Sequence, residues 1–332
     1  MSIILGLGFE HCSTSGSVLS LANYVENTDA WVPVTGFNGT TSLRATSSNC
    51  IYRVLVPVAD YSKTMVIGLH TCHPSKSSLT YDDRLFSFYG PDIRLIHYNG
   101  HIYIYRGTTY MTVINDVFDG SWHHVEAKLF SDASAGTLDI KVDGVTIYSG
   151  TGLNTNGATI SGCEFRLSYP GTYVYYDNLF FATDWVGELH FVGKAPNADF
   201  DCDFSPVSGS DNYAMIDEKT DNDGDTTYNQ SSSVGAIDLF DYEDISDVDI
   251  QVVIIRTICK KSDIGTRILR HKFQQESSLY DGEQATLSSN YGGTSYGAPA
   301  NLREVLNLAP DGTSPWSSTV FNNLKIGYEI IT

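Results

Sequence analysis

Asp199-Phe200-Asp201-Cys202-Asp203 places three carboxylates at alternate positions. In an extended segment such residues share one face. Two carboxylates about 5–5.5 Å apart are what a retaining glycoside hydrolase needs, one as nucleophile and one as acid. This stretch lies in or beyond a join between two halves of the chain, so we expect no catalytic role for it and no catalytic residue elsewhere. Gly293-Thr294-Ser295-Tyr296-Gly297 matches G-x-S-x-G, a motif that works only on a sharp strand-to-helix turn. Here it stands in a glycine-rich loop shortly before Pro299. His70, Cys72 and His73 carry metal-type donors without a visible fourth ligand, and zinc sites close around four. We expect a strand end and loop there, with no metal and no cofactor. Asp221, Asn222, Asp223 and Asp225 offer oxygens but lack the bidentate glutamate and spacing of an EF-hand. An Asx-rich turn bonding its own backbone accounts for them, and the sequence leaves calcium open at Asp221–Asp225.

Aromatic residues suggest binding instead of turnover. Tyr169, Tyr173, Tyr175 and Tyr176 flank Pro170-Gly171, and Tyr291 and Tyr296 stand in a Ser/Gly loop. Exposed tyrosine planes stack on sugars or anchor protein interfaces, although alternation sends about half of any strand set inward. Tyr173, Tyr175, Tyr291 and Tyr296 are the candidates for an interface or a glycan-stacking site. Charge offers a second type of contact. Arg256, Lys260, Lys261, Arg267, Arg270 and Lys272 form a basic window, preceded by Asp238, Asp241, Glu243, Asp244, Asp247 and Asp249. Patches of opposite sign such as Arg256, Lys260 and Lys261 against Asp241 and Asp244 suit pairing between subunits, while a solvated face on each is the plainer alternative.

The chain has 332 residues, 42% of them hydrophobic, enough to bury one or two cores. With 39 acidic against 20 basic residues its net charge is -19, which repels phosphate backbones and anionic membranes and argues against nucleic-acid or membrane partners. The six cysteines form no C-x-x-C and no regular framework, so free, mostly buried thiols are expected. The opening Met-Ser-Ile-Ile-Leu-Gly-Leu-Gly lacks the basic region and long apolar core of a secretory signal and reads as a first strand.

The elements that must hold these residues are strands. Helix formers are sparse, while Thr, Ser, Tyr, Val, Ile and Gly dominate. Strands are predicted at 3–9, 64–70, 84–89, 93–98, 101–106 and 109–114, with Asn99-Gly100 as a type I′ hairpin turn. Others follow at 122–130, 137–142 and 145–148 around Asp143-Gly144, and at 174–183. The second half suggests strands at 249–258, 267–275 and 320–331, with 301–308 as either a short helix or an edge segment, since Leu302, Val305 and Leu306 have helical spacing. The fold class is all-β: two β-sandwich (jelly-roll) domains in tandem, residues 1–186 and 187–332.

A Trp-His-x-Val strand at 122–125, a Val-Asp-Gly hairpin at 142–144 and a closing strand carrying Asp177-Asn178 resemble the laminin-G and concanavalin-like jelly roll. The whole chain resembles a group of tailed-bacteriophage virion proteins. Gly8-Phe9-Glu10-His11, the join from Gly187 to Asp199, Asn212-Tyr213-Ala214, Ile216-Asp217-Glu218 and Asp223-Gly224-Asp225-Thr226-Thr227-Tyr228 occur in order, ending on Trp316, Asn322, Leu324, Gly327 and Glu329. That resemblance implies a non-enzymatic virion structural protein, tail-associated as a fibre or tail decoration, assembling with itself and other virion proteins. Capsid decoration is one alternative. A carbohydrate-binding host-adhesion module, with host surface polysaccharide as partner, is another.

Overall fold

The computed structural model describes residues 2–7, 24–26, 31–35, 41–45, 50–56, 58–73, 84–115, 117–167, 174–218, 225–246, 248–289 and 301–332. The chain divides into two compact units, Met1–Val192 and Gly193–Thr332. Residues 187–192, which the sequence reading assigns to the second half, belong to the first. Both units are built from antiparallel sheet, and the protein is an all-β sandwich.

Among the described residues, two sheets make the first unit. One has eight strands, in the order Val145–Leu153, Gly136–Val142, Trp122–Phe130, Thr64–Cys72, Val174–Ala182, Thr41–Ala45 and Trp31–Thr35, with Ile3–Leu7 also paired to Val174–Ala182. The other runs Thr109–Ile114, His101–Arg106, Ile93–Tyr98, Arg84–Tyr89, Gly162–Leu167, Cys50–Leu55 and Tyr24–Glu26. Alternation selects the packed side. Met65, Ile67 and Leu69 from one sheet meet Phe86, Phe88, Ile102 and Ile104 from the other in a single apolar core. Asn99-Gly100 and Asp143-Gly144 both take positive φ at each residue, 52° and 85°, then 49° and 78°. That is the twist a two-residue hairpin demands.

In the second unit five strands pair in the order Pro196–Cys202, Ile237–Tyr242, Leu324–Ile330, Ile268–Gln275 and Ser278–Thr286. A two-stranded ribbon, Val253–Ile258 with Asn301–Leu306, packs on one face of that sheet through Ile255 against Phe273 and Ile326 and through Leu302 against Leu269. The segment with helical spacing, 301–308, is therefore a strand, and the predicted strand at 320–331 is split. A short helix, Ser318–Asn322, comes first, capped by the Ser317 hydroxyl accepting from the Val320 N–H at 3.2 Å.

Free thiols are found at Cys72, Cys163, Cys202 and Cys259 among the described residues. Burial pushes the Cys163 thiol well above its ordinary range and that of Cys259 up to about 11, which disfavours the thiolate at neutral pH.

Candidate functional site

The outer face of the seven-stranded sheet carries a tyrosine platform. Ile102 and Ile104 point into the core at 0% exposure, so the alternate residues His101, Tyr103 and Tyr105 must point out. Register then aligns Tyr98 with His101, Arg94 with Tyr105, and Tyr110 with Tyr105 on the edge strand. Ring centroids are 5.9 Å apart for Tyr98 and Tyr103, 6.3 Å for His101 and Tyr103, and 5.6 Å for Tyr105 and Tyr110, all near edge-on. Edge-to-face packing keeps each ring stiff and still presents apolar surface beside a hydroxyl. Tyr110 is 51% exposed and the other three are half-buried. Arg94 is held beside them by two hydrogen bonds to Asp92, at 2.7 and 2.9 Å.

The same face continues onto a charged cluster. Glu164 accepts from both Arg53 and Arg84, the Arg53 Nε at 3.0 Å, and the Arg53 guanidinium lies 4.0 Å from the centre of the Tyr89 ring. Arg84 and Glu164 are each 6% exposed. A buried carboxylate between two guanidiniums is a fixed ionic brace.

On the outer face of the eight-stranded sheet a row of rings is covered by residues 184–191. His70 and His124 are cross-strand partners with centroids 5.1 Å apart. His190 stacks on His70 at 5.3 Å, and His124 stacks on Phe180 at 6.2 Å. The covering segment is tied down along its length. Buried Glu126 accepts the backbone N–H groups of Val186 and Gly187 at 3.0 and 3.1 Å. Asp184 pairs with Lys128 at 2.6 Å, and the Asn178 carboxamide oxygen accepts the Phe191 N–H at 2.9 Å. Burial drops the His70 imidazole to about 4 and lowers His124 as well. His70 lies 3.1 Å from Glu188, and His190 lies 3.4 Å from the same carboxylate oxygen.

In the second unit, Thr257 Oγ1 is 3.0 Å from His271 Nε2, and His271 Nδ1 is 2.9 Å from Glu304. That connectivity is the nucleophile–base–orienter order of acyl-transfer enzymes. Its setting is that of packing: His271 is wholly buried between the ribbon and the sheet, and Glu304 also accepts the Glu283 N–H at 3.0 Å. An open depression of about 260 Å³ lies on the side of Glu304, lined by Phe273, Asp281 and Leu306 among others, and does not reach Thr257.

The residues singled out in the sequence scatter. Tyr175 is half-buried with its ring 6.1 Å from Trp122. Tyr176 is in the core. Tyr173, Tyr291 and Tyr296 lie outside the described residues, as does Gly293–Gly297. Asp199 accepts the backbone N–H groups of Asn212 and Tyr213 at 2.8 and 2.5 Å, and Asp203 accepts that of Ile237 at 3.1 Å, while Asp201 is exposed. The two flanking carboxylates thus hold turns. Asp221 to Gly224 are outside the described residues, and Asp225 pairs with Lys260. Asp241 pairs with Lys325, Lys261 bonds the Gly265 carbonyl, Asp244 is exposed, and Arg256 lies on the ribbon opposite Arg303. His70, Cys72 and His73 diverge: the Cys72 thiol donates to the Gly120 carbonyl, and His73 packs against His97 and Phe118. Sequence reasoning missed Tyr98, Tyr103, Tyr105 and Tyr110 as a set.

No protein-family model and no curated protein sequence matches the chain. Among solved structures it is similar to a mutant of alginate lyase Aly36B in complex with alginate trisaccharide, at 16% identity over 55% of this chain and 99% of that one, TM-score 0.39. It is also similar to the binding domain of botulinum neurotoxin serotype D/C, at 10% identity over 84% and 73%, TM-score 0.39. The carbohydrate recognition domain of Emp46p matches at 10% identity over 52% of this chain and 98% of that one, TM-score 0.33.

Proposed function

We propose that the protein is a non-enzymatic recognition module that binds surface polysaccharide on the tyrosine platform of its seven-stranded sheet. One observation carries this reading: Tyr98, Tyr103, Tyr105 and Tyr110 stand on three adjacent strands, on one outward face, in two edge-to-face pairs. Two-torsion aromatic side chains offer large contact area at small entropic loss, and their hydroxyls hydrogen-bond beside it. A sheet fixes their spacing better than loops do. Glycan-array and polysaccharide co-sedimentation assays test it. The full chain is expected to retain at least one polysaccharide class, and Tyr103→Ala/Tyr105→Ala together to weaken retention by about 2 kcal/mol, roughly thirtyfold. Equal retention by the double variant would sink the assignment.

The setting we propose is the particle of a tailed phage, tail-associated as fibre or tail decoration, with the order of sequence motifs as its support. Capsid decoration uses the same sheets as docking surface. Mass spectrometry of purified virions is expected to find the protein in stoichiometric amount, and its absence from particles ends that reading.

A further inference from the structure

We propose that His70, Glu188 and His190 form a binding site for a divalent transition-metal ion of the zinc class, seated between the eight-stranded sheet and the segment that covers it. One donor atom from each of the three lies within 4.8 Å of the other two. Metal–ligand bonds of about 2.0–2.1 Å in tetrahedral geometry put neighbouring donors about 3.4 Å apart. His70 Nε2 and Glu188 Oε1 are 3.1 Å apart, and His190 Nε2 is 3.4 Å from the same oxygen. Small movements of the carboxylate therefore complete a His₂Glu set. His70 is 1% exposed and fixed on a central strand, whereas Glu188 and His190 are 53% and 47% exposed. An ion can thus enter from solvent and keep a water as its fourth ligand. Two imidazoles and one carboxylate suit zinc and its neighbours better than calcium or magnesium, which take oxygen ligands.

Asn178 sets the condition for binding. Its carboxamide nitrogen is 3.3 Å from His70 Nδ1 while its oxygen accepts the Phe191 N–H. An amide nitrogen donates, so Nδ1 accepts, and the ring proton sits on Nε2 facing Glu188. An ion on Nε2 requires the other tautomer: one proton leaves Nε2 to solvent and one is taken up from solvent at Nδ1, so the ring stays neutral. The Asn178 carboxamide then turns to present its oxygen to Nδ1, as the outer-shell partner of a ligating histidine does, and releases the Phe191 N–H. The site is thus closed by a hydrogen bond in its metal-free state, and occupancy couples to the hold on residues 188–191.

Isothermal titration of the full chain with zinc chloride, with X-ray absorption on the loaded protein, tests the site. The expected result is one saturable ion per chain with two imidazole nitrogens and one carboxylate oxygen in its shell, and an upward shift in melting temperature. Glu188→Gln and His190→Ala alter half-exposed side chains, so both variants should fold, and each is expected to weaken binding about tenfold or more. Asn178→Asp, which accepts from Nδ1–H and the Phe191 N–H together, is expected to tighten it. Zinc affinity unchanged in the Glu188→Gln/His190→Ala double variant, the absence of saturable binding below millimolar zinc, or weaker binding in Asn178→Asp would each overturn the proposal.

Discussion

Gly68→Val is expected to destabilise the first unit by about 3 kcal/mol, within the range for overpacking a finished core or sheet face. Gly68 pairs with Glu126 on one side and with Phe180 on the other, in the middle of the eight-stranded sheet. A Cβ at this position would stand 2.1, 2.4 and 2.7 Å from three atoms of the Phe180 ring. The tip of the ring therefore fills the space where a side chain would stand, and the ring is wholly buried and stacks on His124. A displaced ring meets His124, which itself packs on His70. Denaturant unfolding of Gly68→Val against wild type measures the loss. Phe180→Leu, added to Gly68→Val, should recover part of it by clearing the space. An unchanged midpoint for Gly68→Val would show that the ring does not sit where the packing requires.

Acid should act on the two units in opposite directions. Burial lowers His70 and His97 to about 4 from an ordinary 6.5, and holds His73 well below that ordinary value too. Between pH 6.5 and 4 these histidines take up protons in the unfolded chain but not in the folded one. Stability there rises with pH and is lost as pH falls. A shift of that size corresponds to roughly 3 kcal/mol per group at most. Asp238 behaves oppositely. Burial raises its carboxyl to about 6, against the Phe204 N–H, the Asn212 amide and the Tyr328 hydroxyl that favour its charged form. Between pH 6 and 4 the folded second unit holds a proton that its unfolded chain has released, so it gains stability on acidification. Scanning calorimetry between pH 7.5 and 4 is expected to show two transitions, with that of the first unit falling and that of the second holding or rising. A common fall of both would contradict the sign assigned to Asp238.

The strands at 93–98, 101–106 and 109–114 were readable because Asn99-Gly100 and Gly107 fix the turns and the runs between them alternate. The four platform tyrosines were present in those runs, and Ile102 and Ile104 already told which way Tyr103 and Tyr105 face. Asn301–Leu306 reads as either a short helix or an edge segment, and is the second, because Glu304 stands on its buried side with Leu302 and a carboxylate there breaks the pattern that marks a strand. Ile237–Tyr242 was hidden in the same way by buried Asp238. The metal-type cluster was beyond reach: His70 and Glu188 are 118 positions apart, and only the sheet and the tethers of Glu126 and Asn178 bring them together.

The proposed recognition function requires a ligand to land on the tyrosine platform. Titrating the full chain, labelled at the tyrosine rings, with an oligosaccharide from the retained class should move the ring resonances of Tyr98, Tyr103, Tyr105 and Tyr110 together, with one affinity, and leave Tyr52 and Tyr176 in the core unchanged. Sugar-dependent shifts confined to other tyrosines, or turnover of the oligosaccharide during the titration, would contradict it.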